Sequence, residues 1–110
     1  MKLLTRTLEK RFAQVGSQDG KKDPIVIAKF FTPDGSANWY ATEYDPKNRL
    51  FFGYASLFGD WCDEWGYFSL DELLSVRGHL GLPVERDLYF PEMPISEALK
   101  RDGRERREDR

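Results

Sequence analysis

The sequence predicts an α+β domain: a small antiparallel sheet of four to five strands, with an N-terminal helix and a second, capped helix packed on it. Three observations carry this expectation. Eleven of the sixteen aromatic residues lie between Trp39 and Phe68, in runs suited to strands, and no other stretch supplies as much area to bury. Leu4, Leu8, Phe12 and Val15 recur at the spacing of one helical face. Ser69-Leu70-Asp71-Glu72 has the form of a capping box.

Taken in order, the first helix is expected from Thr5 to Val15. The Thr5 hydroxyl can accept from a first-turn amide, and Gly16 can take the left-handed conformation that ends a helix. Ser17–Asp23 reads as a polar loop. Pro24–Thr32 is rich in β-branched and aromatic residues on both alternating faces, which predicts a central strand covered on both sides. After a turn at Pro33–Ser36, Asn38–Tyr44 and Arg49–Leu57 form a hairpin around Asp45-Pro46-Lys47-Asn48. Gly53 marks a bulge or a close approach of another backbone.

Phe58–Asp63 interrupts the strands, and Glu64–Phe68 supplies a fourth. The helix capped by Ser69 is expected to run until Gly78 stops it. Gly78–Pro83 is a loop, Glu85–Phe90 a returning strand, and Ile95–Leu99 a helical turn. The expected domain is residues 1–99. Lys100–Arg110 contains no apolar residue, so it cannot bury a face, and it is expected to be a flexible charged tail.

The net charge of −2 is unevenly spread. The tail carries six basic and four acidic residues, whereas Glu43–Glu72 has seven acidic residues against Lys47 and Arg49. A body of that sign repels a phosphate backbone unless its cations cluster in space. One cysteine, Cys62, allows no internal disulfide and fits a reducing compartment. The apolar run near the N-terminus is only Leu3-Leu4, too short for a signal peptide, and no stretch has the length of a membrane span. The expected location is the cytoplasm.

No phosphate-binding glycine loop, HExxH or CxxC motif occurs, and no catalytic residue, metal or cofactor is assigned. Cys62 and His79 would have to be brought together by the fold to act as a nucleophilic pair. Asp60, Asp63 and Glu64 read as a solvated acidic loop rather than a cation site. Glu85, Arg86 and Asp87, placed between Val84 and Leu88, require fixed partners. With Arg77 and His79 they form either a structural ion-pair network or a small polar recognition site. Among the aromatics, Trp39, Phe58 and Trp61 at the turns are the candidates for exposure, with Trp39 and Trp61 the candidate binding residues.

Gly66–Phe90, GYFSLDELLSVRGHLGLPVERDLYF, together with MKLLTRTLEK, DPIVIAKFFTPDGSANWYATEYD and LFFGYAS, resembles the bacterial domain-of-unknown-function family 2958. The resemblance runs to about Leu99 and implies no activity and no catalytic residue. It implies a context, that of accessory proteins carried by plasmids and other mobile elements. The leading expectation is therefore a non-enzymatic binding module with a protein partner. The alternatives are single-stranded nucleic-acid binding through hairpin aromatics and the Arg-rich tail, and an acidic mimic of DNA that inhibits host defence.

Overall fold

The computed structural model describes residues 1–57 and 63–105. Its elements are α1 (Arg6–Val15), β1 (Ile25–Val26), β2 (Ala28–Phe31), β3 (Asn38–Asp45), β4 (Leu50–Ser56), β5 (Glu64–Ser69), α2 (Leu70–Ser75), β6 (Glu85–Arg86), β7 (Met93–Pro94) and α3 (Ile95–Arg101). Five strands form an antiparallel sheet in the order β5-β4-β3-β2-β6, and β1 pairs with β7 in a two-stranded sheet. The α+β class and the N-terminal helix are as expected.

The helix α1 starts where the Thr5 hydroxyl accepts from the Leu8 amide at 3.2 Å. It ends at Gly16, whose φ of 66° lets its N–H reach the Phe12 carbonyl. Phe12 is buried and meets the rings of Phe51 at 5.8 Å and Tyr44 at 6.0 Å. Around them Phe30, Trp39, Phe68, Leu70 and Leu73 complete the larger core. The smaller core, on the opposite face of the sheet, is Val26, Tyr40, Tyr54, Ile95 and Ala98 under α3.

The expected single strand Pro24–Thr32 is split. The buried Gln18 explains the break: its side-chain amide donates to the carbonyls of Ile25 and Thr42 and accepts from the Ile25 amide at 2.7 Å. That draws Ile25–Val26 toward β7, while Ala28–Phe31 stays beside β3 and β6.

Ala41 faces Gly53 and Glu43 faces Phe52, so Thr42 is an extra residue, a bulge on β3. Strict alternation from Trp39 and Ala41 would aim Glu43 into the larger core. The extra residue puts Tyr44 there instead, 4.7 Å from Phe51. Gly53 itself is a close approach: a Cβ there would lie 1.9 Å from the Tyr40 carbonyl oxygen.

The Ser69 hydroxyl accepts from the Glu72 amide at 2.9 Å, the forward half of the capping box. The helix closes at Ser75, earlier than expected, because Val76 is extended and Arg77 pairs with Pro83. Gly78 instead lies against the Asp34 carboxylate, where a Cβ would stand 1.5 Å from Oδ1. The expected strand Glu85–Phe90 shrinks to Glu85–Arg86, since the Asp87 carboxylate accepts from the Tyr89 amide and starts a turn. The helix α3 runs to Arg101, past the expected start of the tail. Its first turn is held by Asp23, which accepts from the Ser96 amide at 3.0 Å and hydroxyl at 2.6 Å.

Candidate functional site

The residues singled out from the sequence are dispersed. Arg77 donates to the carbonyls of Leu74 and Val76 at the end of α2. His79 is exposed in a loop whose Leu80 and Leu82 amides donate to the Asp34 carboxylate. Burial alone would raise the Asp34 pKa, but those two amides hold it below the ordinary value. Glu85 shares a cleft of about 380 Å³ with Arg77, lined also by Met1, Leu74 and Pro83. Arg86 faces elsewhere, donating to the carbonyls of Lys2 and Leu3 at 2.9 and 3.2 Å. Asp87 turns to Lys29 and Arg101. The five side chains therefore do not converge on one recognition site, because the N-terminus, α2 and α3 each take some of them. Trp39 is only 8% exposed and belongs to the core. Phe58, Trp61 and Cys62 lie outside the described residues.

A polar cluster that the sequence reading missed lies where α3 meets the sheet. Lys29, mostly buried, is 2.9 Å from Asp102 and 4.0 Å from Asp87, and Arg101 is 3.3 Å from each of these carboxylates. The Tyr40 hydroxyl donates to Asp102 at 2.7 Å and accepts from Asn38 at 3.1 Å. Burial, and then the bond to Asp102, raise the Tyr40 pKa well above its ordinary value, so the phenol stays a donor. Burial would raise the Asp102 pKa too, but Lys29 and Tyr40 outweigh it and hold the carboxyl low.

Beyond Asp102, Arg104 donates to the Ser56 carbonyl at 2.9 Å and hydroxyl at 2.6 Å, and to the Ser36 carbonyl. The Ser56 hydroxyl in turn donates to the buried Asp63 at 2.6 Å. A cleft of about 400 Å³ opens between Lys29, Asn38, Asp87 and Arg104. Its cations already face carboxylates or carbonyls. The arrangement latches the C-terminal segment to the sheet.

The second feature is an aromatic surface. On the outer face of β4 and β5, Phe52 lies 5.9 Å from Trp65 in a stacked pair and 5.1 Å from Tyr67 edge-on, while Trp65 meets Tyr54 at 5.5 Å. Tyr67 is 74% exposed and Trp65 is 41% exposed. Lys21, Lys22 and Asp19 stand beside Phe52 and Trp65 around a small cleft. These aromatics are plain in the sequence, but a position inside a strand, unlike one at a turn, does not by itself mark a ring as exposed. Alternation along Glu64–Ser69 was the available signal: Phe68 enters the core, so Trp65 and Tyr67 must face the other way.

Among the described residues, no group of His, Cys, Asp and Glu side chains is arranged to hold a metal ion, and no helix is long and apolar enough to cross a membrane. No curated protein and no solved structure gives a match. A family model described as "Protein of unknown function (DUF2958)" matches residues 3–105, taking in the latch residues Asp102 and Arg104 beyond Leu99. The chain belongs to this family.

Proposed function

We propose that the protein is a non-enzymatic binding module that contacts a protein partner through the aromatic surface on β4 and β5. The observation that carries this reading is the contiguity of Phe52, Trp65 and Tyr67, with Tyr67 three-quarters exposed although core positions were within reach of the same strand. Aromatic side chains supply large contact area at low entropic cost, which is why they are enriched where proteins meet. The proposal extends, on the family resemblance, to an accessory role in bacterial mobile elements and a cytoplasmic setting without membrane attachment.

The test is capture of a partner from a bacterial host lysate, with nuclease treatment and with a Trp65→Ser/Tyr67→Ser double variant. Nuclease-resistant capture by the native chain and its loss in the folded variant are expected. Capture unchanged by the two substitutions would sink the proposal.

A second reading has one specific observation behind it: Lys21 and Lys22 beside the same rings suit single-stranded nucleic acid, with bases stacked and phosphates held. It predicts affinity for an oligonucleotide that falls steeply with salt, measured by fluorescence anisotropy. The DNA-mimic reading is less favoured. Asp45 caps a turn, Asp71 pairs with Arg49, Asp63 is buried and Glu43 accepts from the Gln18 amide, so these carboxylates have local uses.

A further inference from the structure

We infer that the free edge of β5 receives an extended, basic peptide segment as a sixth strand, an inference that rests on the protein-partner reading above. Among the described residues, β5 pairs with β4 and with no other strand, so every second residue along Glu64–Ser69 turns its N–H and C=O away from the sheet. Edges that are not used are usually shortened, bent, or guarded by lysine or proline. This strand has six residues, runs in unbroken register with β4, and carries neither lysine nor proline. An added strand would place alternate side chains beside Trp65 and Tyr67, whose rings suit alkyl stems and cationic heads.

Charge selects the occupant. The described parts of Glu43–Glu72, which form the end of β3, β4, β5 and the start of α2, carry six acidic residues against Lys47 and Arg49. The neighbouring Ser17–Asp23 loop adds two lysines and two aspartates, and so no net charge. A second copy docked by its own β5 would set two such negative segments side by side, and a nucleic acid would bring more negative charge still. A segment bearing lysine or arginine meets the opposite field.

The probe is a capped octapeptide of alternating Lys and Val, added to the full chain labelled for amide NMR. Two controls accompany it: a Glu–Val octapeptide, and a Lys–Val peptide interrupted by central prolines. Slowed hydrogen exchange at alternate amides of Glu64–Ser69 is expected, with the Glu–Val peptide at least about tenfold weaker and the proline peptide inactive. Perturbation confined to the Lys29–Arg104 cleft, or binding that ignores the prolines, would overturn strand addition. Concentration-dependent dimerisation protecting the same amides without peptide would overturn it in favour of a second copy. If the aromatic double variant loses its partner while the peptide leaves β5 amides unprotected, strand addition fails and the aromatic surface survives. If capture is also unaffected, both fail.

Discussion

At one edge of the five-stranded sheet, β6 offers only Glu85 and Arg86; at the other, β5 offers six residues carrying Trp65 and Tyr67. The short edge is closed from several sides. Pro83 precedes it, the Asp87 turn follows it, and the Arg86 amide donates to the Met1 sulfur at 3.2 Å. The Arg86 guanidinium then fixes the Lys2 and Leu3 carbonyls, so the N-terminus lies along that side as a strap. Charged residues between apolar neighbours thus serve to seal one edge, while exposed rings mark the edge that no second strand covers among the described residues. Charge on a strand was the more conspicuous signal in the sequence, yet it points to the side that is already occupied.

The comparison can be broken most severely at Gly53. A Gly53→Val variant would drive side-chain atoms into the Tyr40 carbonyl and remove the support on which β5 rests. A loss of more than about 3 kcal/mol is expected, seen as failure to fold or a collapsed melting transition. Its cross-strand partner Gly66 has open space at the Cβ position, so Gly66→Ala should instead stabilise by up to about 1 kcal/mol. Opposite effects at paired glycines would separate a packing constraint from a general weakness of the outer strands.

At the closed edge, Arg86→Ala leaves two carbonyls without their donor. Urea denaturation should show a loss of about 1–3 kcal/mol, with faster amide exchange near Leu3. Tyr67→Ser at the β5 edge should change stability by less than about 1 kcal/mol, and Trp65→Ser, which gives up its contacts with Phe52 and Tyr54, by about 1–3 kcal/mol, while both remove partner capture. If Tyr67→Ser costs more than Arg86→Ala, the roles assigned to the two edges would be reversed.

The smallest effect belongs to neither edge. The Asp102 pKa is depressed in the fold, so its stabilising contribution is present above the unfolded value of about 3.9 and lost as pH falls through the folded value. Amide protection factors along Ala98–Arg104 should fall below about pH 4, before those of the sheet amides respond. Asp102→Asn should remove that acid sensitivity. Simultaneous loss of both sets of amides would mean that the latch is no separate unit.

Local chemistry was legible in the sequence. Thr5, Gly16 and Ser69 act on groups within a few residues, and the β3–β4 hairpin follows from alternation across a short turn. Long-range polar contacts were not. Nothing near Gln18 in sequence announces that its amide would divide a strand by bonding Ile25 and Thr42, and Arg86 finds its acceptors at Lys2 and Leu3. Lys100–Arg110 lacks apolar residues, so composition alone predicts a segment that buries no face. Asp102 and Arg104 are nevertheless held by ion pairing and hydrogen bonds to Lys29, Tyr40, Ser56 and Ser36. For the aromatic surface, density was readable but sidedness was not, since it depends on which face α1 and α2 occupy.

The bulge at Thr42 has a consequence for chain length. A strand two-sided in this way behaves like a coded message in which losing one letter inverts everything downstream. Between Ala41 and Tyr44 the inversion has already been absorbed. Removing Thr42 would restore plain alternation, keep Tyr44 on the side of Phe12 and Phe51, and give up the carbonyl that Gln18 uses. A deletion inside Asn38–Ala41 faces a different problem, because Trp39 and Tyr40 serve opposite cores. Insertions and deletions in β3 therefore have a preferred address, where the chain can change length without changing sides.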